Sequence, residues 1–287
     1  MLTKTEKAQL RGDIFRHLDG IATAPVAHCL YTSGVTDFLL SEKQTTLTDL
    51  TARFKGNRGY LNVGLRVLAS QGWLDYEVDN EKNEVFLSVN AKSEVAFSYC
   101  RYYKDIVELQ KISGQFHRRK FEREPFQKLA AIFEDYKNGY AFPAPANDLE
   151  ADIQHQVLKH IEGMLVGPTT VALGMSGMFH KYFMEASFKP EEFHEDAESF
   201  ERLLDFFVFL GWFDKKNGTY RFTEKGLFFA RRASAYGVTV SYIPTFRRVE
   251  DLFFGNPEIL WQVPPGAPEI HVDREMNVWG SGGAHST

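Results

Sequence analysis

A chain of 287 residues exceeds the usual size of one domain, so two are expected, and 44% apolar with 14% aromatic residues suffices to pack their cores. Its formal charge of -5 argues against nucleic acid as the main partner, because neutralising phosphates takes concentrated Lys and Arg. Cys29 and Cys100 form no framework and have no metal or redox spacing, Met1–Gly20 is too charged for a signal peptide, and Pro168 and four glycines interrupt the uncharged run Gly163–His180, so a soluble protein of the reducing cytoplasm, away from membranes, is expected.

In the first half, Thr5–Leu18 reads as an opening helix and Ile21–Leu30 as a second, with Pro25 in its first turn and Ser33-Gly34 at its end. Thr46–Leu50 starts a helix that reaches Phe54, Lys55–Gly59 is a turn, and Tyr60–Ser70 is a helix with Leu61, Leu65, Val67 and Leu68 apolar. After Gly72, Trp73–Val78 pairs with Glu84–Val89, completing a winged-helix unit. Glu94–Lys111 and Glu124–Gly139 read as amphipathic helices, with Tyr99, Tyr102, Tyr103, Ile106 and Leu109 covering a neighbouring core. The basic cluster His117–Lys120, followed at once by Glu122 and Glu124, reads as a solvated helix face. Pro143 and Pro145 mark Ala141–Asp148 as a linker, and helix resumes over Leu149–Leu165.

In the second half, Phe200, Leu203, Leu204, Phe207 and Val208 share one helical face, and Asn217-Gly218 joins two short strands. Thr223 caps a helix from Glu224 to Tyr236, and a short helix pair spans Tyr242 to Gly255. The order of the first half thus returns: Pro25, Leu30, Ser33 and Gly34 match Pro168, Leu173, Ser176 and Gly177 at a displacement of 143, and Gly72-Trp73 match Gly211-Trp212 at 139. The fold class that follows is mainly α with small β-wings, as tandem winged helix-turn-helix units joined by a helical connector. The expected divisions are 1–115 for the first unit, 116–150 for the connector and Pro-rich linker, 151–255 for the second unit and 256–287 for a loop-rich tail.

A DNA-reading winged helix presents its third helix to phosphates and base edges. In the second unit that approach carries Glu191, Glu192, Glu195, Asp196, Glu198, Glu201 and Asp205 against Arg202, so DNA is repelled. Arg53, Lys55, Arg58 and Arg66 in the first unit are an ordinary solvated surface. His155 and His160 point to different sides of a helix, as surface or satisfied histidines. His271-x-Asp273 with His285 has too short a spacing in too loose a tail to specify a metal. Asp152 and Glu162 have no counterpart at acid/base spacing, and Ser33 and Ser176 sit in no nucleophile elbow. No catalytic, cofactor or metal set emerges. Gly280-Ser281-Gly282-Gly283 follows no strand and opens no helix, so it reads as a hinge rather than a phosphate loop.

The order winged helix, Tyr242-Ile243-Pro244, short helices and Pro-rich connection resembles the N-terminal region of class I S-adenosylmethionine-dependent methyltransferases, whose Rossmann-like core follows it. The tail Glu269–His285 most resembles the segment before the core in methyltransferases of polyketide synthase loading modules, of the apratoxin and saxitoxin type. This resemblance implies an accessory lid, dimerisation or scaffold region, with Tyr242, Trp279 and His285 as substrate-lid candidates. Its implied partners are a downstream methyltransferase core, an acyl carrier protein and a second copy of the chain. The family's glycine-rich cofactor turn is absent, so the cofactor, S-adenosylmethionine, is assigned to the parent enzyme and none to this chain, which is expected to lead into a catalytic domain it lacks and to be inactive alone. The alternative is a free-standing tandem winged-helix transcriptional regulator.

Overall fold

The computed structural model describes residues 1–112, 123–179 and 186–284. In chain order its elements are α1 (Lys4–Thr32), α2 (Val35–Glu42), β1 (Gln44–Thr46), α3 (Leu47–Phe54), α4 (Arg58–Ser70), β2 (Asp75–Asp79), β3 (Glu84–Ser88), α5 (Ser93–Tyr99), α6 (Lys104–Ile112), α7 (Arg123–Lys137) and α8 (Asp148–Met175). There follow α9 (Ala197–Phe209), β4 (Phe213–Lys216), β5 (Thr219–Phe222), α10 (Glu224–Ala230), α11 (Ser234–Ser241), α12 (Ile243–Phe246), α13 (Val249–Phe254) and α14 (Arg274–Ala284). The protein is mainly helical, with small antiparallel sheets ordered β1-β3-β2 and β4-β5.

Two long helices, one from each half, form the spine. A reciprocal cap opens α1: Thr3 Oγ1 accepts from the Glu6 N–H, and the Glu6 carboxylate accepts from the Thr3 N–H. Asn147 opens α8 by accepting from the Glu150 N–H at 2.9 Å. Neither helix stops at its proline. The break expected between Leu18 and Ile21 is absent, Pro25 lies inside α1 rather than in a first turn, and Pro168 lies inside α8, beyond the expected end at Leu165. An interior proline costs about 3 kcal/mol. Here burial outweighs it, since Ile21, Ala24, Ala27 and Leu30 around Pro25 and Leu165, Val166 and Val171 around Pro168 are all withdrawn from water.

The spine helices run antiparallel and touch backbone to backbone at two points. A Cβ on Gly20 would stand 2.3 Å from His160 Cα, and one on Gly163 would stand 2.5 Å from His17 Cα. The displacement of 143 converts one contact into the other, because His17 and Gly20 recur as His160 and Gly163. Buried Leu10, Ile14 and Ile21 likewise recur as buried Ile153, Val157 and Met164. The repeat is therefore a local two-fold at the crossing.

Each half carries its hairpin in the same way. Gly72 and Gly211, both at φ 79°, end α4 and α9 in a left-handed turn that suits glycine. The next residue then bonds back into the helix, Trp73 N–H to Leu68 O at 3.1 Å and Trp212 N–H to Phe207 O at 2.9 Å. In the second half β4 and β5 pair Phe213 with Phe222 across Asn217-Gly218, whose φ values of 52° and 71° fit a primed hairpin turn. Thr223 caps α10 through the Gly226 N–H. In the first half, α2 and β1 are elements that the sequence does not announce. β1 is three polar residues and exists through pairing with β3, Thr45 opposite Leu87.

Three further differences follow from the packing. The single helix expected over Glu94–Lys111 is α5 and α6 with a 3-10 turn at Cys100–Tyr103 between them, which buries Tyr103. The helix expected over Glu224–Tyr236 divides into α10 and α11 at Arg231–Ala233. The hinge expected at Gly280–Gly283 lies within α14. The reason is packing: a Cβ on Gly237 would stand 2.6 Å from Gly280 Cα, so small residues here serve a helix crossing. The cluster His117–Lys120 lies outside the described residues.

Gly163→Ala drives a methyl group into the His17 backbone and is expected to destabilise the fold by roughly 3 kcal/mol. Gly12→Ala, whose new Cβ meets only Arg16 Nη1 at 3.8 Å, is expected to be neutral or stabilising by up to about 1 kcal/mol. Urea denaturation of the two variants checks the contrast, and equal midpoints would remove the crossing from its central place.

Candidate functional site

At the spine crossing each histidine bonds with the opposite half. His17 Nδ1 is 2.7 Å from Tyr236 Oη and its Nε2 is 2.9 Å from Glu162 Oε1. His160 Nδ1 is 2.6 Å from Tyr103 Oη and its Nε2 is 2.9 Å from Gln71 Oε1. Burial lifts both phenols well above the usual tyrosine range. Each tyrosine therefore keeps its proton; Tyr103 donates to Nδ1 of the neutral His160, whose Nε2–H donates to Gln71 Oε1. His160 is satisfied, and burial together with the neighbouring His17 pushes it down to about 3. His155, on the same helix, is exposed.

The two-fold breaks at the acids. Asp19 stays at the surface and is raised by partial burial against a hydrogen bond with Gln71. Its counterpart Glu162 turns inward and is 4% exposed. The expectation that Glu162 lacks a counterpart is corrected by His17, which comes from the other half of the chain. Tyr136 from α7 and Lys159, with Nζ at 3.1 Å, complete the shell of Glu162, and Lys159 also lies 3.8 Å from Asp13. Burial works to raise this carboxyl, but the hydrogen bond from His17, the charge of Lys159 and the hydrogen bond from Tyr136 outweigh it and hold it below the usual carboxylate range. Burial and the adjacent Glu162 carboxylate push Tyr136 upward in turn. These groups satisfy one another, so the arrangement holds the halves in register. Extending the 143-residue displacement backwards from Pro25 and Pro168 finds His17-x-Asp19-Gly20 against His160-x-Glu162-Gly163, the signal that exposes this site.

The tail candidates lie at a second crossing, where α14 packs on α11. Trp279 is half-buried, with its six-membered ring beside Gly174 of α8: a Cβ there would stand 2.9 Å from the indole. Asn277 Nδ2 donates to Ser241 Oγ at 3.0 Å, and the Asp273 N–H donates to Ser241 O at 2.8 Å. Tyr242, the next residue, is 39% exposed. Tyr242 and Trp279 thus sit on neighbouring elements, one toward water and one toward the core. His285 lies outside the described residues.

Around this crossing the His271 ring packs on Trp261 at 4.5 Å, and Asp273 Oδ1 caps α14 through the Met276 N–H. Among the described residues no three His, Cys, Asp or Glu side chains gather as metal ligands. Gly280–Gly283, helical with Gly280 packed on α11, does not fit S-adenosylmethionine, which needs an open glycine turn after a strand. On the second wing Lys215 is held by Glu201 at 2.9 Å and Asp205 at 2.8 Å, and Arg202 by Glu198 at 2.9 Å, so the bases on this face are engaged by its acids. No described helix is long and apolar enough to cross a membrane.

These features define a mainly helical protein with a winged helix in its second half. Residues 10–76 match the AprA N-terminal domain, and residues 162–256 match the AprA winged helix domain. The two matches, in this order on one chain, support an AprA-type, polyketide-associated N-terminal region. No curated protein matches the chain.

The buried histidine sets a pH dependence. Unfolded, His160 takes up a proton near its ordinary 6.5; folded, it does so only at about 3. Between these values the unfolded state binds the extra proton, so stability is full above 6.5 and falls as pH drops, at up to about 1.4 kcal/mol per pH unit. The lowered carboxyl of Glu162 acts in the same direction, but only from its ordinary 4.5 downward. His160→Gln is therefore expected to flatten the stability curve between pH 6 and pH 4.5, measured by urea denaturation; an unchanged slope there would contradict the assignment.

Proposed function

We propose that residues 1–255 form a docking platform and residues 256–284 couple it to an S-adenosylmethionine-dependent methyltransferase core. In this reading the chain is the lid or scaffold over a carrier-protein-bound acyl substrate in polyketide biosynthesis, and the cofactor belongs to the core. The AprA-type matches support the setting. The observation that carries the reading is the seating of α14: Gly280 against Gly237, Trp279 against Gly174, and Asn277 on Ser241. A segment fastened at three points transmits the position of the platform to whatever it contacts. Exposed Tyr242 beside it offers an apolar ring to a substrate or a core surface.

The regulator alternative requires a DNA-facing basic surface, and the second wing instead holds its bases against its own acids.

Methyl transfer to a carrier-bound acyl group is to be compared for the core joined to the intact chain, to the chain lacking residues 1–255, and to Gly280→Val, whose side chain meets the Val238 backbone. Truncation and the valine variant are each expected to lower kcat/KM by about tenfold or more, since small misplacements at a reacting centre cost on this scale. Unchanged rate and substrate affinity in both would refute the coupling role. Retention of mixed-sequence DNA in a low-salt gel shift would favour the regulator instead.

A further inference from the structure

A groove of about 690 Å³ lies between the first turns of α1 and the helix α10. Its floor is apolar, made by Leu2, Leu227 and Phe228. Its two banks are basic. Lys7 lines one bank, with Arg11 a turn further along α1; Arg231 and Arg232 line the other, with Arg232 lying over the Phe228 ring at 3.9 Å and donating to Phe228 O. Glu224, also in the lining, is taken up by the Met1 amino group at 2.9 Å. Among the described residues none of the four bases pairs with a carboxylate. Arg232 titrates below its ordinary value through burial and through the charges of Arg11 and Arg231. In a chain of net charge -5, four convergent cations left uncompensated beside an apolar floor demand an occupant.

The form of the groove selects the occupant. A small anion would satisfy the banks and leave the partly exposed Leu2 and Leu227 wet. Nucleic acid would bring a charged backbone onto that floor. An apolar stripe flanked on both sides by acids satisfies floor and banks together, and a helix with apolar residues at three- and four-residue spacing presents that pattern. We propose that this groove docks an acidic amphipathic helix of a partner protein, its apolar stripe on Leu2, Leu227 and Phe228 and its carboxylates between the Lys7–Arg11 and Arg231–Arg232 banks. The assignment stands apart from methyl transfer, and its readout is binding alone.

The probe is a fluorescein-labelled helical peptide of about 18 residues, five turns, with Leu on one stripe and Glu flanking it. Fluorescence anisotropy with the whole chain is expected to show saturable binding that weakens with salt. A peptide with Lys in place of Glu, and one of the same composition with the stripe scrambled, are each expected to bind at least about tenfold more weakly. Lys7→Glu with Arg231→Glu, both exposed positions, is expected to weaken the Glu peptide about tenfold, while Arg53→Glu with Lys55→Glu, on the first unit's surface, leaves it unchanged. Failure of the Glu peptide to bind would overturn the proposal, as would equal binding of the scrambled peptide or equal loss in both double variants. Displacement of the peptide by inorganic phosphate at matched ionic strength would reduce the groove to a simple anion site and overturn it as well.

Discussion

Gly20 and Gly163 leave no room for one more carbon between α1 and α8. That close approach is the constraint on which the rest of the structure rests. It brings the backbones of His17 and His160 against the opposite helix, so both imidazoles enter the other half of the protein instead of packing on their own. It also explains why both helices run through their prolines, for a break at Pro25 or Pro168 would strip apolar side chains from the longest buried seam of the molecule.

The polar groups at this seam do a different task from the apolar ones. Packing of Leu10, Ile14, Ile21 and the equivalent Ile153, Val157 and Met164 into the shared core supplies adhesion and tolerates sliding, because apolar contact is non-directional. Hydrogen bonds joining two histidines with two tyrosines, an amide and a carboxylate do not tolerate it, since a shift of one helical turn would strand several buried polar atoms at about 1–3 kcal/mol each. The network thus fixes register. Its asymmetry, with Glu162 drawn inward under Tyr136 and Lys159 while Asp19 stays outside, also ties α7 to one side of the two-fold. The stack of Phe133 on Phe206 at 4.2 Å extends that tie to α9.

The tail repeats the device of the spine on a smaller scale. Gly237 and Gly280 allow α14 to lie on α11 as closely as α1 lies on α8, and Trp279 fills the space that Gly174 leaves. Glycines grouped as Gly280-Ser281-Gly282-Gly283 suggest a hinge when taken as a string, because glycine favours turns. In the fold their small size outweighs their flexibility.

Much of the architecture was legible in the chain itself. Asn217-Gly218, the Thr223 cap and the three- and four-residue spacing of Phe200, Leu203, Leu204 and Phe207 specify the second hairpin and its helices through local chemistry. The 143-residue displacement announces the repeat. What the chain could not announce is decided by contacts remote in sequence: that Pro25 and Pro168 stay helical, that three polar residues form β1, that Glu162 finds His17, and that the glycines near the end are helical. Each depends on burial or pairing that exists only once the halves have met, and local propensities of a kcal/mol or so per residue yield to it.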